Sequence, residues 1–159
     1  MTLRIPRAAS AATTVVLLAL AASCGPGPAA PAPVPPDVPP LGTEARLDLA
    51  TWNLEWFGAP GFGPPDDALQ VVNAAAAIAG LGLDIWGLQE IVATDRGREL
   101  LDRLPAYEGI LARDPAVEGG AAWYTAGEQK PALLWRADVA DLVAARVILT
   151  EHDHAFAGR

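Results

Sequence analysis

Cysteine is almost absent from this 159-residue chain. Cys24 is the only one, which excludes any intramolecular disulfide. Cations are also scarce, with 11 Lys and Arg against 19 Asp and Glu, a formal net charge of −8 at pH 7. Histidine occurs twice, both times within His152-Asp-His154. No apolar run reaches the ~20 strongly apolar residues that a membrane-spanning helix needs. The acidic balance sharpens once the N-terminal stretch is set aside. With Arg4, Arg7 and Asp37 left out, the 119 residues from Leu41 to Arg159 hold 9 cations and 18 acids, a net of −9. Such a body has no broad attraction for a nucleic-acid backbone, which disfavours tight, wrapping binding of DNA or RNA. A small phosphate site bridged by a divalent cation suits acidic surroundings and is not excluded.

The first 43 residues read as targeting and tether rather than fold. Arg4 and Arg7 make a basic start, Ala8 to Ala22 is apolar or small, and Cys24 follows at once. These are the marks of a secretory signal over residues 1–23. Leu20-Ala-Ala-Ser-Cys24 resembles a bacterial lipoprotein signal, in which the Cys24 thiol takes a diacylglycerol. Gly25 after the cysteine favours the outer membrane, so the expected location is the cell envelope. The membrane contact would be the N-terminal lipid alone, with no spanning helix in the mature chain. Residues 24–43 are rich in proline and alanine. Proline lacks the N–H and fixes φ, so this run is expected to be an extended, semi-rigid linker.

Residues 44–159 form one candidate α/β domain. Leu47 to Asn53 reads as a central strand. Gly58 to Pro65 is a loop punctuated by glycine and proline. Asp66 or Asp67 caps a helix from Ala68 to Ala79 that Gly80 or Gly82 ends. Leu83 to Gln89 is a short apolar run of the kind covered on both faces of a sheet, so the order implies a β-α-β unit. A helix over Asp95 to Leu104, stopped by Pro105, precedes a strand at Tyr107 to Ala112. Glu118 to Gly127 reads as loop, and Ala132 to Arg136 and Leu142 to Leu149 read as strands.

The two strands at the start of this unit end in polar residues. Leu47-Asp-Leu-Ala-Thr-Trp-Asn53 delivers Asn53, and Asp84-Ile-Trp-Gly-Leu-Gln-Glu90 delivers Glu90. An amide and a carboxylate at neighbouring strand ends make the start of a divalent-cation and phosphate site, because hard cations prefer carboxylate oxygens. Glu55, two residues beyond Asn53, is expected to be solvated or structural. His152-Asp-His154 contains only ligand types, but it sits in a polar loop with nothing to fix its geometry, and a solvated loop is expected. Trp52, Trp56, Trp86, Trp123 and Trp135 are expected to pack in the core or at its rim rather than to form a base-stacking platform.

Trp52-Asn-Leu54 and Leu88-Gln-Glu90, separated by a helix, resemble the start of the endonuclease/exonuclease/phosphatase superfamily. Gln129-Lys-Pro-Ala-Leu-Leu-Trp-Arg136 is similar to that family's next strand. The resemblance covers about Leu47 to Arg159, the N-terminal half of the family domain. It implies half of a four-layer α/β/β/α sandwich with mixed sheet. It also implies a metal-dependent phosphoesterase, a nuclease-like hydrolase of phosphodiesters or phosphomonoesters, with Mg²⁺ or another hard divalent cation such as Mn²⁺ as cofactor. Glu90 would be the metal ligand and Asn53 would sit beside the metal, holding its shell or a phosphate oxygen. Arg159 falls near a family arginine that contacts phosphate, and Glu128 and Gln129 fall near an acid that steadies a histidine. The substrate would be a nucleic acid, a nucleotide or a small phosphoester. The alternative is a non-enzymatic envelope lipoprotein or binding module.

The family's histidine strand, its Asp-x-Asn pair and its C-terminal Asp-His pair have no counterpart here. The expectation is therefore a truncated N-terminal half, inactive alone, with one face of its sheet uncovered. Reading the coding DNA beyond the Arg159 codon tests this. The enzyme reading expects a frame that continues for another ~100 or more residues carrying those motifs, whereas a stop favours the binding module.

Overall fold

The computed structural model describes residues 37–152. Its elements run β1 (Leu49–Phe57), α1 (Asp67–Leu81), β2 (Ile85–Ile91), α2 (Thr94–Asp102), β3 (Tyr107–Leu111), β4 (Val117–Glu118), α3 (Gly120–Trp123), β5 (Lys130–Arg136) and β6 (Ala145–Arg146). The fold is α/β with a mixed sheet. Four strands lie in the order β1-β2-β5-β3. β1 and β2 are parallel, joined by α1 as a β-α-β unit, while β5 is antiparallel to both β2 and β3. β4 and β6 pair in parallel as a separate two-stranded sheet.

Helix α1 starts where the sequence marks it. The Asp66 carboxylate accepts the Leu69 N–H at 2.9 Å, satisfying one of the free amides of the first turn. Gly82 ends the helix in the left-handed region, at φ 62°, where a residue without Cβ meets no steric penalty. The last part of the Pro-rich stretch is tied to this end: Leu41 and Gly42 both donate their N–H to the Leu81 carbonyl, at 2.9 and 3.0 Å. Val71, Ala74, Ala75 and Ile78 form the buried face of α1. They share one core with Leu54, Phe57, Trp86, Leu88, Ile91, Leu100 and Leu134. Its small alanines bring the helix close to the sheet.

The opposite face of the sheet is open over much of its area. Register places Leu49, Ile85 and Trp135 in one row and Thr51, Gly87 and Leu133 in the next. Leu49 is 66% and Leu133 39% exposed, whereas Trp135 and Ile110 in the same rows are buried, so the uncovered face expected from the sequence is met only in part, towards β1. Among them, too, no helix is long and apolar enough to cross a membrane.

Several sequence expectations change. β1 is an edge strand among the described residues, not a central one, and it continues to Phe57 because that side chain is fully buried. β2 lacks the cover on both faces that its apolar run suggested. The loop expected at Glu118 to Gly127 contains part of β4 and the short helix α3. The strand expected over Leu142 to Leu149 shrinks to Ala145–Arg146. Val143 is 98% exposed, and β-branched residues make a strand only where a neighbour pairs with them. Here only Val117–Glu118 does so.

Tyr107 ties β3 to the α1–β2 connection, its hydroxyl donating to the Leu83 carbonyl at 2.7 Å. Burial pushes its phenol above the ordinary value of 10.0. The folded state thus holds this proton more tightly than the unfolded chain. The resulting stability is fully present below pH ~10 and falls as pH rises through the folded pKa. Tyr107→Phe should cost about 1 kcal/mol at pH 7 and flatten that alkaline fall, as read by urea unfolding at pH 7 and above pH 10.

Candidate functional site

β1 and β2 keep step from Leu49 opposite Ile85 to Asn53 opposite Gln89, and they meet again at Phe57 opposite Ile91. Leu54, Glu55 and Trp56 of β1 therefore face the single residue Glu90. The surplus is taken up in a bulge, where Glu55, Trp56 and Glu90 all turn left-handed, at φ 50°, 54° and 65°. Non-glycine residues seldom adopt this region, and a bulky tryptophan there is an outlier. Each instance costs on the order of 1–3 kcal/mol and survives only where its surroundings over-determine it.

Those surroundings are specific. Leu54 and Phe57, 5% and 0% exposed, anchor the bulge in the core from either side. The Asn53 amide oxygen accepts the Glu55 N–H at 2.8 Å, and the Asn53 amide nitrogen donates to Glu90 Oε1 at 2.7 Å. Trp56 N–H donates to Glu90 Oε2 at 3.0 Å. Because a backbone N–H can only donate, the Asn53 oxygen must face Glu55 and its NH₂ must face Glu90. From α1, Gln70 Nε2 donates to the carbonyls of Leu54 (2.6 Å) and Glu55 (3.1 Å), and Gln70 Oε1 accepts the Gly58 N–H at 3.4 Å. Gly63 lies so close to the bulge that a Cβ there would sit 2.5 Å from the Glu55 carbonyl oxygen.

Each Glu90 oxygen accepts one hydrogen bond and keeps a lone-pair direction free. The Asn53 amide keeps one N–H beyond its bond to Glu90. This is one acceptor pair and one donor, side by side where the bulge of β1 meets the last residues of β2. One carboxylate of this kind fits Mg²⁺, which commonly takes one or two protein carboxylates and retains several waters. On the same sheet face, Gln89 donates to Thr51 Oγ1 at 2.6 Å and to the Gly87 carbonyl at 3.0 Å. A cleft of about 340 Å³ follows β1 and the start of α1, lined by Asn53, Glu55, Gln70 and Asn73 among others, but not by Glu90.

The other sequence candidates are dispersed. Glu55 is exposed. Glu128 accepts from Thr125 Oγ1 at 2.7 Å, within its own loop. His152 Nε2 lies 3.7 Å from Glu151 Oε1. Asp153, His154, Arg159 and Cys24 lie outside the described residues, as do the proposed signal and most of the linker. Among the described residues, no group of three or more His, Cys, Asp and Glu side chains could hold a metal ion.

Two supporting residues escaped the sequence reading. Gln70 carries no motif, since a glutamine near a helix start usually faces solvent. Lys130, 3% exposed, donates through Nζ to the carbonyls of Val92 (2.8 Å), Ala126 (2.9 Å) and Glu128. It thereby fastens the loop before β5 to the exit of β2, two residues beyond Glu90. The only sequence signal was a lone cation within an apolar strand.

Over 61% of its length the chain is similar, at 30% identity, to the crystal structure of an endonuclease/exonuclease/phosphatase from Bacteroides vulgatus. The match covers 34% of that protein's chain, with a TM-score of 0.42, so this chain spans about a third of it. No protein-family model and no curated protein matches the chain.

Gln70→Met keeps the length of the side chain and leaves the Leu54 and Glu55 carbonyls without their donor. It should lower stability by about 1–3 kcal/mol, as measured by denaturant unfolding, whereas Asn73→Ala on the same helix should change it by less.

Proposed function

We propose that this chain carries the Glu90-centred metal end of a divalent-cation-dependent phosphoesterase of nuclease-like type. The observation that carries the reading is the 2.7 Å contact between Asn53 and Glu90 across two parallel strands, made at a bulge where the backbone of both strands is strained. A structural carboxylate needs no such strain.

In this reading Glu90 holds Mg²⁺ or Mn²⁺ through the free lone pairs of its carboxylate. The ion would polarise the phosphoryl group and stabilise charge on the leaving oxygen. Asn53 acts through Glu90. Its NH₂ fixes the carboxylate's rotation, and the remaining N–H is available to a phosphate oxygen. Asn53 is therefore a positioning and phosphate-contacting group rather than a ligand of the same ion, because its amide oxygen is turned towards Glu55. The Trp56 N–H holds the second carboxylate oxygen and keeps Glu90 from rotating. Arg159 is a further candidate for phosphate. Water activation needs a base as well, an effect of typically ~10²–10⁴ in rate. Cys24, lipidated, would hold the protein at the outer membrane within the cell envelope.

One observation favours the second reading, an envelope binding module without catalysis: among the described residues Glu90 belongs to no group of three or more His, Cys, Asp and Glu side chains that could hold a metal ion. Metal binding separates the two. In the full chain, calorimetric titration with Mn²⁺ should show one site that Glu90→Ala removes and that Asn53→Ala weakens by roughly 10–100-fold, the usual effect of losing an outer hydrogen-bond partner. Mg²⁺-dependent hydrolysis of a phosphodiester by any longer form should likewise vanish in Glu90→Ala. Unchanged metal binding in both variants would leave the binding module as the better account.

A further inference from the structure

The bulge does more than aim Glu90. It also carries Trp56, which reaches solvent while its neighbour Phe57 is buried. Trp56 is 36% exposed and stacks on Phe62, with ring centroids 4.8 Å apart and planes 25° from parallel. Phe62 is 58% exposed, although it is one of only three phenylalanines in the chain. Apolar residues left on a surface singly need no explanation. Two large rings stacked on each other in solvent, beside a strained carboxylate, do need one.

The pair is built by the backbone. Ala59 N–H donates to the Trp56 carbonyl at 2.9 Å, and Phe62 N–H donates to the Ala59 carbonyl at 3.0 Å. These two successive turns carry the chain out and back, so that Phe62 arrives over Trp56. Gly63 then lets the loop pass against the bulge, its missing side chain leaving room for the Trp56 Cβ, 3.0 Å from where a Gly63 Cβ would stand. The Trp56 N–H is itself the group that holds Glu90 Oε2. The ring platform and the carboxylate are therefore both held by the same residue.

We infer that the Trp56–Phe62 pair is a stacking platform for a flat, neutral ring attached to the phosphate that Glu90 and Asn53 would engage, namely the unpaired base of a nucleotide or of a single strand. This rests on the Glu90 reading above and supplies its substrate class. Charge supports the choice. A net of −9 over residues 41–159 repels a long duplex, whereas stacking on a base needs no cation and tolerates any sequence. A paired base is already stacked on both faces, so only an unpaired one can take up the platform without prior opening.

The test compares two ligands that differ only in the base. In the full chain with Mg²⁺, deoxyadenosine 5′-monophosphate should bind about tenfold more tightly than 2-deoxyribose 5-phosphate, in line with one base–aromatic stack. Phe62→Ala should bring the ratio to about one, and Phe62→Tyr should keep it. Glu90→Gln should weaken both ligands and leave the ratio intact. A ratio of one in the unaltered chain, or one that survives Phe62→Ala, overturns the platform while the metal reading stands. A ratio of ten that is indifferent to Mg²⁺ and to Glu90→Gln keeps the platform and removes the metal reading, and no binding of either phosphate overturns both. Should Phe62→Ala instead abolish binding to neutral phosphatidylcholine vesicles and spare the ratio, the rings are a membrane contact and the inference fails.

Discussion

Between Asn53 and Phe57, β1 has three residues to place where β2 offers one, and the arrangement of the upper end of the sheet follows from how that mismatch is resolved. Leu54 and Phe57 are both buried and cannot be released to solvent without losing on the order of 1.5–3 kcal/mol each. The excess chain must therefore be folded between two fixed points. It does so by placing Glu55 and Trp56 in a backbone region that neither favours. The compensation comes from three side chains on three different elements: Asn53 of β1, Glu90 of β2 and Gln70 of α1. Removal of any one leaves the other two holding a strained turn with unpaired polar groups.

That dependence joins the core to the surface. Burial of the apolar face of α1 sets where Gln70 sits, and Gln70 sets where the Leu54 and Glu55 carbonyls point. The bulge then presents one N–H to Glu90 and one indole to solvent. Site geometry is thus inherited from packing some distance away. A site held in this way is preorganised: little rotamer entropy of Glu90 remains to be lost when a ligand arrives.

The sequence showed the parts of this that repeat locally. Asn53 and Glu90 could be placed on neighbouring strands because apolar runs, a capped helix between them and polar residues after each run are all short-range signals, although β1 runs on past Asn53 to Phe57. The helix limits were bracketed for the same reason by Asp66 or Asp67 and by Gly80 or Gly82, of which the structure uses Asp66 and Gly82. The bulge was not legible, because register is a relation between two strands and Trp56-Phe57 looks in isolation like the beginning of a loop. Gln70 was hidden because its partners are backbone carbonyls, which every residue has. The strand expected at Leu142 to Leu149 failed for the opposite reason. Its residues suit a strand, but strand formation depends on a partner, and only two of them find one. The edge position of β1 likewise belongs to the sheet as a whole and not to the residues of β1.

Lys130 is the single lysine in the chain, and its ammonium is enclosed by three backbone carbonyls beneath the surface. Its neighbour Pro131 blocks the peptide bond that a lysine-directed protease would cut. The folded domain therefore presents no lysine amine to acylating dyes, to aldehydes or to bifunctional amine cross-linkers. Modification at Lys130 itself would report unfolding, since this amine becomes reactive only when β5 leaves the sheet.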